Sequence, residues 1–119
     1  MYLFSYLDGE REKFLLELNK RLASLINQSR LMIFIKGEPD APKCGFTRQL
    51  LELLKDLKAD FSSFDILSDE SVRQGLKEYS KWPTYPQIYL DGELLGGLDV
   101  FREEISDKSF VEKLPKISS

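Results

Sequence analysis

The pattern of apolar and polar positions predicts helices that alternate with short strands. Residues 31–35 are an unbroken apolar run of the length of a buried strand. Apolar residues at helical spacing predict a helix over residues 8–28, capped by Asp8, and a second helix that starts at Cys44. The first stripe consists of Phe14, Leu15, Leu18, Leu22, Leu25 and Ile26, and the second of Phe46, Leu50, Leu53, Leu54 and Leu57.

The alternation continues after the second helix. Residues 61–67 predict another strand, and a helix between two strands implies parallel pairing with a right-handed crossover. Ser68 is expected to cap the next helix, which Asp69 and Glu70 open and Trp82-Pro83 ends. The residues of this helix expected to face the core are Val72, Leu76 and Tyr79.

The last third of the chain predicts a hairpin and short helices. Asp91-Gly92 lies between two apolar runs and indicates a hairpin of strands 87–90 and 93–95. Gly96-Gly97 ends the second strand, Asp99 opens a short helix through Ile105, and residues 109–114 form a last turn or two. The expected fold class is α/β, with a mixed sheet flanked by helices, and 119 residues correspond to one domain.

Composition excludes several classes of function. A net charge of −3 does not favour binding to nucleic acids or to anionic membranes. No run approaches the ~20 apolar residues of a membrane span. The absence of histidine excludes a Cys–His hydrolase and a closed structural zinc site. The one cysteine cannot form an internal disulfide, which indicates a reducing compartment.

Cys44 is the main chemical candidate. It lies between a loop that contains Pro39 and Pro42 and the start of a helix, where unpaired N–H groups and the helix dipole favour a thiolate. Lys36 and Lys43 add positive charge if this loop folds back. The alternative is a buried structural cysteine. The position at a loop-to-helix junction beside two lysines favours a reactive thiol.

Three further features indicate an extended ligand beside Cys44. A cis Tyr85–Pro86 bond would turn the main-chain N–H and C=O of Tyr85 toward a peptide, although trans is the default for such a bond. Gly96-Gly97-Leu98-Asp99 offers a helix N-terminus for a carboxylate and an acid for an ammonium group, or is only a strand-to-helix turn. Arg73 and Lys77 lie four residues apart on one helix face. Either they bind a second carboxylate or they form a solvated face. Two carboxylates, an amino group and a thiol together describe glutathione.

The same motifs resemble those of the monothiol glutaredoxins. They are Lys36-Gly37, Cys44-Gly45-Phe46-Thr47, Trp82-Pro83-Thr84-Tyr85-Pro86-Gln87 and Gly96-Gly97-Leu98-Asp99. Residues 61–65 and 72–77 resemble the glutaredoxin domains of multidomain cytosolic thioredoxin–glutaredoxin proteins. The resemblance extends over about residues 12–112. It implies a thioredoxin-like fold with cis Pro86, and a domain at residues 12–114 between flanks at 1–11 and 115–119.

One position departs from the family motif, which ends in Ser where this chain has Thr47. Threonine keeps the hydroxyl group and adds a methyl group next to the site. The resemblance implies Cys44 as catalytic residue and metal ligand. It also implies a glutathione site formed by Lys36, Cys44, Arg73, Lys77, Tyr85, Pro86, Gly97, Leu98 and Asp99.

The expected cofactors and partners depend on counting thiolates. A [2Fe–2S] cluster needs four ligands, and one chain offers one cysteine. Two subunits that each add one glutathione supply all four, which gives a cluster-bridged homodimer. The resemblance implies the same arrangement, heterodimers with BolA-type proteins, and a cytoplasmic location with the nucleus as a second one.

The sequence is compatible with three functions. The first is a carrier of [2Fe–2S] clusters in cluster transfer and iron homeostasis. The second is a weak glutathione-dependent thiol–disulfide oxidoreductase that removes glutathione from proteins. The third is an interaction module of a larger protein.

Overall fold

The computed structural model describes residues 2–118, with side chains from residue 8 onward, and shows a four-stranded sheet with helices on both faces. The helices are α1 (Tyr2–Ile26), α2 (Gly45–Asp56), α3 (Glu70–Ser80), α4 (Leu98–Glu104) and α5 (Lys108–Lys113). The strands are β1 (Leu31–Ile35), β2 (Gly37–Glu38), β3 (Ala41–Pro42), β4 (Ser62–Asp65), β5 (Gln87–Leu90) and β6 (Glu93–Gly96). None of the helices in this part of the chain combines the length and hydropathy that a membrane span needs.

Strand β1 is the centre of the sheet, and all five of its residues are 0% exposed. It pairs in parallel with β4 and antiparallel with β5, and β5 pairs antiparallel with β6. The order across the sheet is β4-β1-β5-β6. The predicted mixed α/β sheet and the parallel pairing across α2 are therefore confirmed.

Alternate residues of β1 belong to two separate cores, as the period of a strand requires. Leu31, Ile33 and Ile35 pack in a core with residues of α2, α4 and α5. Met32 and Phe34 pack in the opposite core with residues of α1 and α3. Burial on both faces explains why β1 is apolar throughout.

Helix α1 differs from the predicted N-terminal helix. It is already present at Tyr2 and ends at Ile26, so Asp8 lies inside the helix and does not cap it. Phe14 is 56% and Leu15 39% exposed, so the predicted stripe is wrong at its start. The reason is that these two residues lie beside Gln74 and Glu78 of α3 in a shallow cavity, outside the core.

Two predictions for α3 are also wrong. Asp69, not Ser68, caps the helix, because the Asp69 carboxylate accepts a hydrogen bond from the Val72 N–H at 3.1 Å. Ser68 belongs to a 3₁₀ turn, and its hydroxyl donates to the Asp65 carbonyl. Tyr79 is 44% exposed because it lies in the last turn of α3, after the residues that face the core.

The hairpin of β5 and β6 is confirmed. Asp91 (φ 51°) and Gly92 (φ 83°) both have positive φ, as a type I′ turn requires. The strand predicted at residues 61–67 is shorter, because its last residues form the 3₁₀ turn. The β2–β3 hairpin was not predicted. It needs Gly37, which has φ 95° and where a Cβ would lie 2.5 Å from the Ala41 carbonyl oxygen.

We expect Leu22→Ala to lower the free energy of unfolding by about 2–5 kcal/mol, because Leu22 is fully buried and its truncation leaves a cavity. Leu16→Ala is the matched control on the same helix, since Leu16 is 61% exposed, and should cost less than about 1 kcal/mol. Urea denaturation of both variants measures the difference. Similar losses in the two variants would contradict the assignment of the buried face of α1.

Candidate functional site

The site is organised around Cys44, which occupies the N-cap position of α2. Its backbone is extended, with φ −152° and ψ 149°, and the thiol forms no capping hydrogen bond with the helix. Burial alone would raise the pKa of the thiol. The Thr47 N–H and hydroxyl, the Phe46 N–H and the Lys36 ammonium group outweigh burial, so the pKa of Cys44 lies below its ordinary value.

The main chain around Cys44 is tied to the end of β1. The Lys43 N–H donates to the Lys36 carbonyl at 2.9 Å, and the Lys36 N–H donates to the Thr47 hydroxyl oxygen at 3.3 Å. The loop therefore folds back as predicted. Of the two lysines, Lys36 contributes to the lowered pKa of the thiol, whereas Lys43 is exposed to solvent.

The start of the β2–β3 hairpin is fixed by a carboxylate from the next strand. One oxygen of Asp65 accepts hydrogen bonds from the N–H groups of Gly37 and Leu67, both at 2.9 Å. Asp65 is the last residue of β4, which lies beside β1. The ends of both parallel strands and the loop that leads to Cys44 are therefore held together.

The predicted site residues come together in one groove, which we call the Cys44 groove. It consists of two adjoining cavities of about 250 and 210 Å³ that share Phe46, Thr84 and Tyr85 in their walls. The first, the basic cavity, contains Lys36, Cys44, Arg73, Lys77 and Tyr85. The second, the acidic cavity, contains Tyr85, Pro86, Gly97, Leu98 and Asp99.

Four residues of the groove were absent from the predicted site. They are Phe46, Trp82, Pro83 and Thr84. Phe46 was placed on the apolar stripe of α2, but it is 60% exposed, because the residues of α2 that are buried are Thr47, Leu50 and Leu54. Phe46 lies off the helix face that those three residues form. This offset was the available indication that Phe46 belongs to the groove.

The Tyr85–Pro86 bond is cis, which confirms the implication of the family resemblance. The Tyr85 hydroxyl donates to the Arg73 carbonyl of α3 at 2.7 Å, so this residue bridges the turn and the helix that supplies two cations. Burial raises the pKa of Tyr85 well above its ordinary value, which keeps the hydroxyl protonated as a donor.

A buried amide holds the loop that precedes this turn. Gln87 is 0% exposed, and its side-chain NH₂ donates to the Trp82 carbonyl at 2.9 Å and the Thr84 carbonyl at 3.4 Å. The Tyr89 hydroxyl donates to the Gln87 side-chain oxygen at 2.8 Å. All hydrogen-bonding atoms of the amide are thus used to fix the wall of the groove.

Two buried side-chain donors among the described residues have no hydrogen-bond partner, Arg73 Nε and Trp82 Nε1. Both residues line the Cys44 groove, one in each cavity. Buried donors in folded proteins are normally paired, so orphaned ones indicate a place for a polar ligand or water. No group of three or more Cys, Asp or Glu side chains in the described part of the chain could hold a metal ion without outside ligands.

This geometry places a nucleophilic thiol in an open groove with cations at one end and a carboxylate at the other. The profile of the family described as Glutaredoxin matches residues 31–95, more than half of the chain. The chain belongs to the glutaredoxin family. With its one cysteine it is a monothiol glutaredoxin domain. Membership of this family supports, in general terms, a role in glutathione-related redox or iron–sulfur chemistry.

Named relatives extend the comparison. This glutaredoxin is 54% identical over 103 residues to glutaredoxin 3 of Danio rerio, an alignment that covers 87% of this chain and 32% of the relative. It is 50% identical over 99 residues to monothiol glutaredoxin-4 of Schizosaccharomyces pombe, covering 83% of this chain and 41% of the relative. The chain therefore spans between a third and about two-fifths of the length of these relatives.

The thioredoxin fold is shown by solved glutaredoxin structures. The buckwheat glutaredoxin–glutathione complex superimposes with a TM-score of 0.73 at 21% identity, covering 85% of this glutaredoxin and 90% of that chain. The sheet order and the helices on both faces of this chain agree with that fold.

We expect Thr47→Val to raise the pKa of Cys44, because valine keeps the branched shape but removes the hydroxyl that helps to stabilise the thiolate. Thr47→Ser keeps the hydroxyl and should leave that pKa close to its starting value. The rate of alkylation by iodoacetamide as a function of pH measures the shift, and the profile of the valine variant should move to higher pH. Equal shifts in both variants would mean that the hydroxyl has no direct effect.

Proposed function

We propose that this glutaredoxin binds glutathione in the Cys44 groove and carries a [2Fe–2S] cluster between two subunits, for cluster transfer and iron homeostasis. The observation that supports this most is the order of charges along the groove. Arg73 and Lys77 lie with Cys44 in the basic cavity, and Asp99 lies in the adjoining acidic cavity. Glutathione has a carboxylate at one end, an amino group with a second carboxylate at the other, and a thiol between them.

The proposed orientation follows from charge matching. Arg73, Lys77 and Lys36 would bind the glycine-end carboxylate, with charge-assisted hydrogen bonds from the two side chains of α3. Asp99 would bind the amino group of the γ-glutamyl end, and the Gly97–Leu98 main chain would meet its carboxylate. The cis turn at Tyr85–Pro86 forms the shared wall between the two cavities.

The ligand count supports the cluster part of the proposal. A [2Fe–2S] cluster needs four ligands, usually thiolates, and this chain supplies one cysteine at the edge of an open groove. The lowered pKa of Cys44 favours the deprotonated form that binds metal. We propose that each subunit adds the thiolate of one bound glutathione. The cluster is then the cargo that the two subunits pass to a recipient protein.

The partners and location belong to the same proposal. We infer a cluster-bridged homodimer, a heterodimer with a BolA-type protein in which the same thiolate is used, and a cytoplasmic location with the nucleus as a second one. The similarity to monothiol glutaredoxin-4 of S. pombe and glutaredoxin 3 of D. rerio over most of this chain supports these inferences.

A second candidate function is removal of glutathione from proteins, which the lowered pKa of Cys44 favours. The Cys44 thiolate would attack the glutathionyl sulfur of a mixed disulfide, and the client protein would leave as a thiolate. A second glutathione thiolate would then attack the Cys44–glutathione disulfide. This step releases oxidised glutathione and restores the Cys44 thiolate.

Anaerobic reconstitution with iron, sulfide and glutathione should give a coloured dimer, and Cys44→Ser should give a colourless monomer with an unchanged fold. Visible absorption together with analytical ultracentrifugation measures both properties. Omission of glutathione is the control, and it should prevent cluster uptake by the unaltered chain. Normal cluster absorbance in Cys44→Ser would contradict the role of Cys44 as the cluster ligand. A colourless wild type that turns over glutathionylated substrate would favour the second function.

Replacement of both Arg73 and Lys77 with Ala should weaken glutathione binding about tenfold or more. Charge-assisted hydrogen bonds are worth roughly 1.5–3 kcal/mol, and about 1.4 kcal/mol corresponds to a factor of ten. Asp99→Ala should weaken glutathione but not an analogue that lacks the amino group. Calorimetric titration of both ligands against both variants measures this. If Asp99→Ala loses the same affinity for both ligands, the proposed orientation is wrong.

A further inference from the structure

A second groove is lined in part by Pro39 and Pro42 of the β2–β3 hairpin, and we call it the hairpin groove. Its volume is about 380 Å³, and none of its lining residues belongs to the Cys44 groove. The apolar residues that line it include Pro39 and Pro42 of the hairpin, Leu51 of α2, Phe61 and Ile117. A volume of this size with mostly apolar walls lies in the range of protein binding sites, about 300–1,000 Å³.

The wall at Ile117 is held in place even though that side chain is 61% exposed. The Ile117 N–H donates to the Lys58 carbonyl at 2.9 Å, and the Asp60 N–H donates to the Pro115 carbonyl at 2.8 Å. These bonds fix the segment after α5 beside Ala59. An exposed isoleucine on a fixed segment, in the same groove as two prolines, is an apolar surface already in position for a partner.

Charged residues on α2 define what that partner must carry. Arg48, Glu52 and Lys55 lie on the exposed face of α2 along the groove. Among the described residues, neither Arg48 nor Lys55 forms an ion pair. Arg48 and Lys55 are seven positions apart on the helix, which is a rise of about 10.5 Å along its axis. Two carboxylates at about this separation, one opposite each cation, complement the groove.

We propose that the hairpin groove binds an extended segment of a partner protein with the pattern acid–apolar–apolar–acid. In a polyproline II conformation, three residues advance about 9 Å and return to the same face, which matches the separation of the cations. The two acids then face Arg48 and Lys55, and the apolar residues between them enter the groove. Glu52 lies between the cations and repels a third acid, and the apolar lining of the groove favours apolar residues at the middle positions.

The chain contains no acid–apolar–apolar–acid segment, so a second copy of it is not the expected occupant. Both prolines of the groove belong to the hairpin that leads into Cys44. A bound partner would therefore contact the chain at Pro42, two residues before Cys44. Binding to the hairpin groove requires neither glutathione nor a cluster, so failure of the proposed function would leave it unaffected.

The test uses the whole chain without glutathione and a fluorescent Gly-Glu-Leu-Pro-Glu-Gly peptide at low salt. Peptides with Gln-Leu-Pro-Gln and Lys-Leu-Pro-Lys at the same positions are the controls for charge. We expect the glutamate peptide to bind at least tenfold more tightly than either control, and its affinity to fall as salt is added. Binding is measured by fluorescence anisotropy and located by amide chemical-shift changes.

Variants of the chain separate the groove from general charge effects. Arg48→Gln with Lys55→Gln should lose at least tenfold in affinity for the glutamate peptide. Lys108→Gln with Lys113→Gln removes the same charge from α5, where neither residue lines the groove, and should change the affinity by less than twofold. Leu51→Trp, which places a larger side chain in the groove, should weaken binding while leaving glutathione titrations unchanged.

Three results would overturn the proposal. The first is equal binding of the glutamate and lysine peptides. The second is a set of chemical-shift changes centred on Thr84 and Leu98 of the Cys44 groove. The third is concentration-dependent dimerisation of the free chain that Leu51→Trp abolishes, which would assign the groove to a second copy.

Discussion

The rest of the structure depends on the burial of strand β1 on both of its faces. Its five side chains are fully buried in two separate cores, so the strand is fixed from both sides of the sheet. The residue that follows, Lys36, therefore has a fixed main chain. Its carbonyl receives the Lys43 N–H and its N–H donates to Thr47, which brings both sides of Cys44 to the end of the strand. The core therefore positions the thiol through the main chain on both sides of it.

The groove beside that thiol is formed by elements that pack on the same sheet through different contacts. Helix α3 packs through Val72 and Leu76, which leaves Arg73 and Lys77 at the groove. The loop before β5 is fixed from inside by Gln87 and from α3 by the hydrogen bond of the Tyr85 hydroxyl. Arg73 and Lys77 come from α3 and Asp99 from α4, so the order of charges along the groove is a consequence of the fold.

Strong local patterns in the sequence were sufficient for the core of the fold. The apolar run of β1 and the Asp91-Gly92 turn predicted their elements because each depends on neighbouring residues alone. Phe14, Phe46 and Tyr79 were placed on apolar stripes but are exposed, because spacing does not show where a neighbouring element ends. The site implied by the family resemblance included the groove residues that carry the charges and the thiol, but not Phe46, Trp82, Pro83 and Thr84. The distribution of the groove residues between two cavities depends on tertiary contacts such as Gln87 with Trp82, which no spacing in the sequence reveals.

The β2–β3 hairpin connects the two grooves along the chain. Lys36 and Cys44, which flank the hairpin, line the Cys44 groove, and Pro39 and Pro42 of the hairpin line the hairpin groove. The first residue of the hairpin is tied to Asp65, and the residue after it, Lys43, is tied to Lys36, so both of its ends are fixed by the sheet. A partner that touches the prolines of the hairpin therefore meets a rigid element and changes little at Cys44. The expected effect of docking is proximity: it raises the local concentration of the thiol near a client without altering the pKa of the thiol. In such an arrangement the hairpin groove selects the partner, and the Cys44 groove carries out the chemistry.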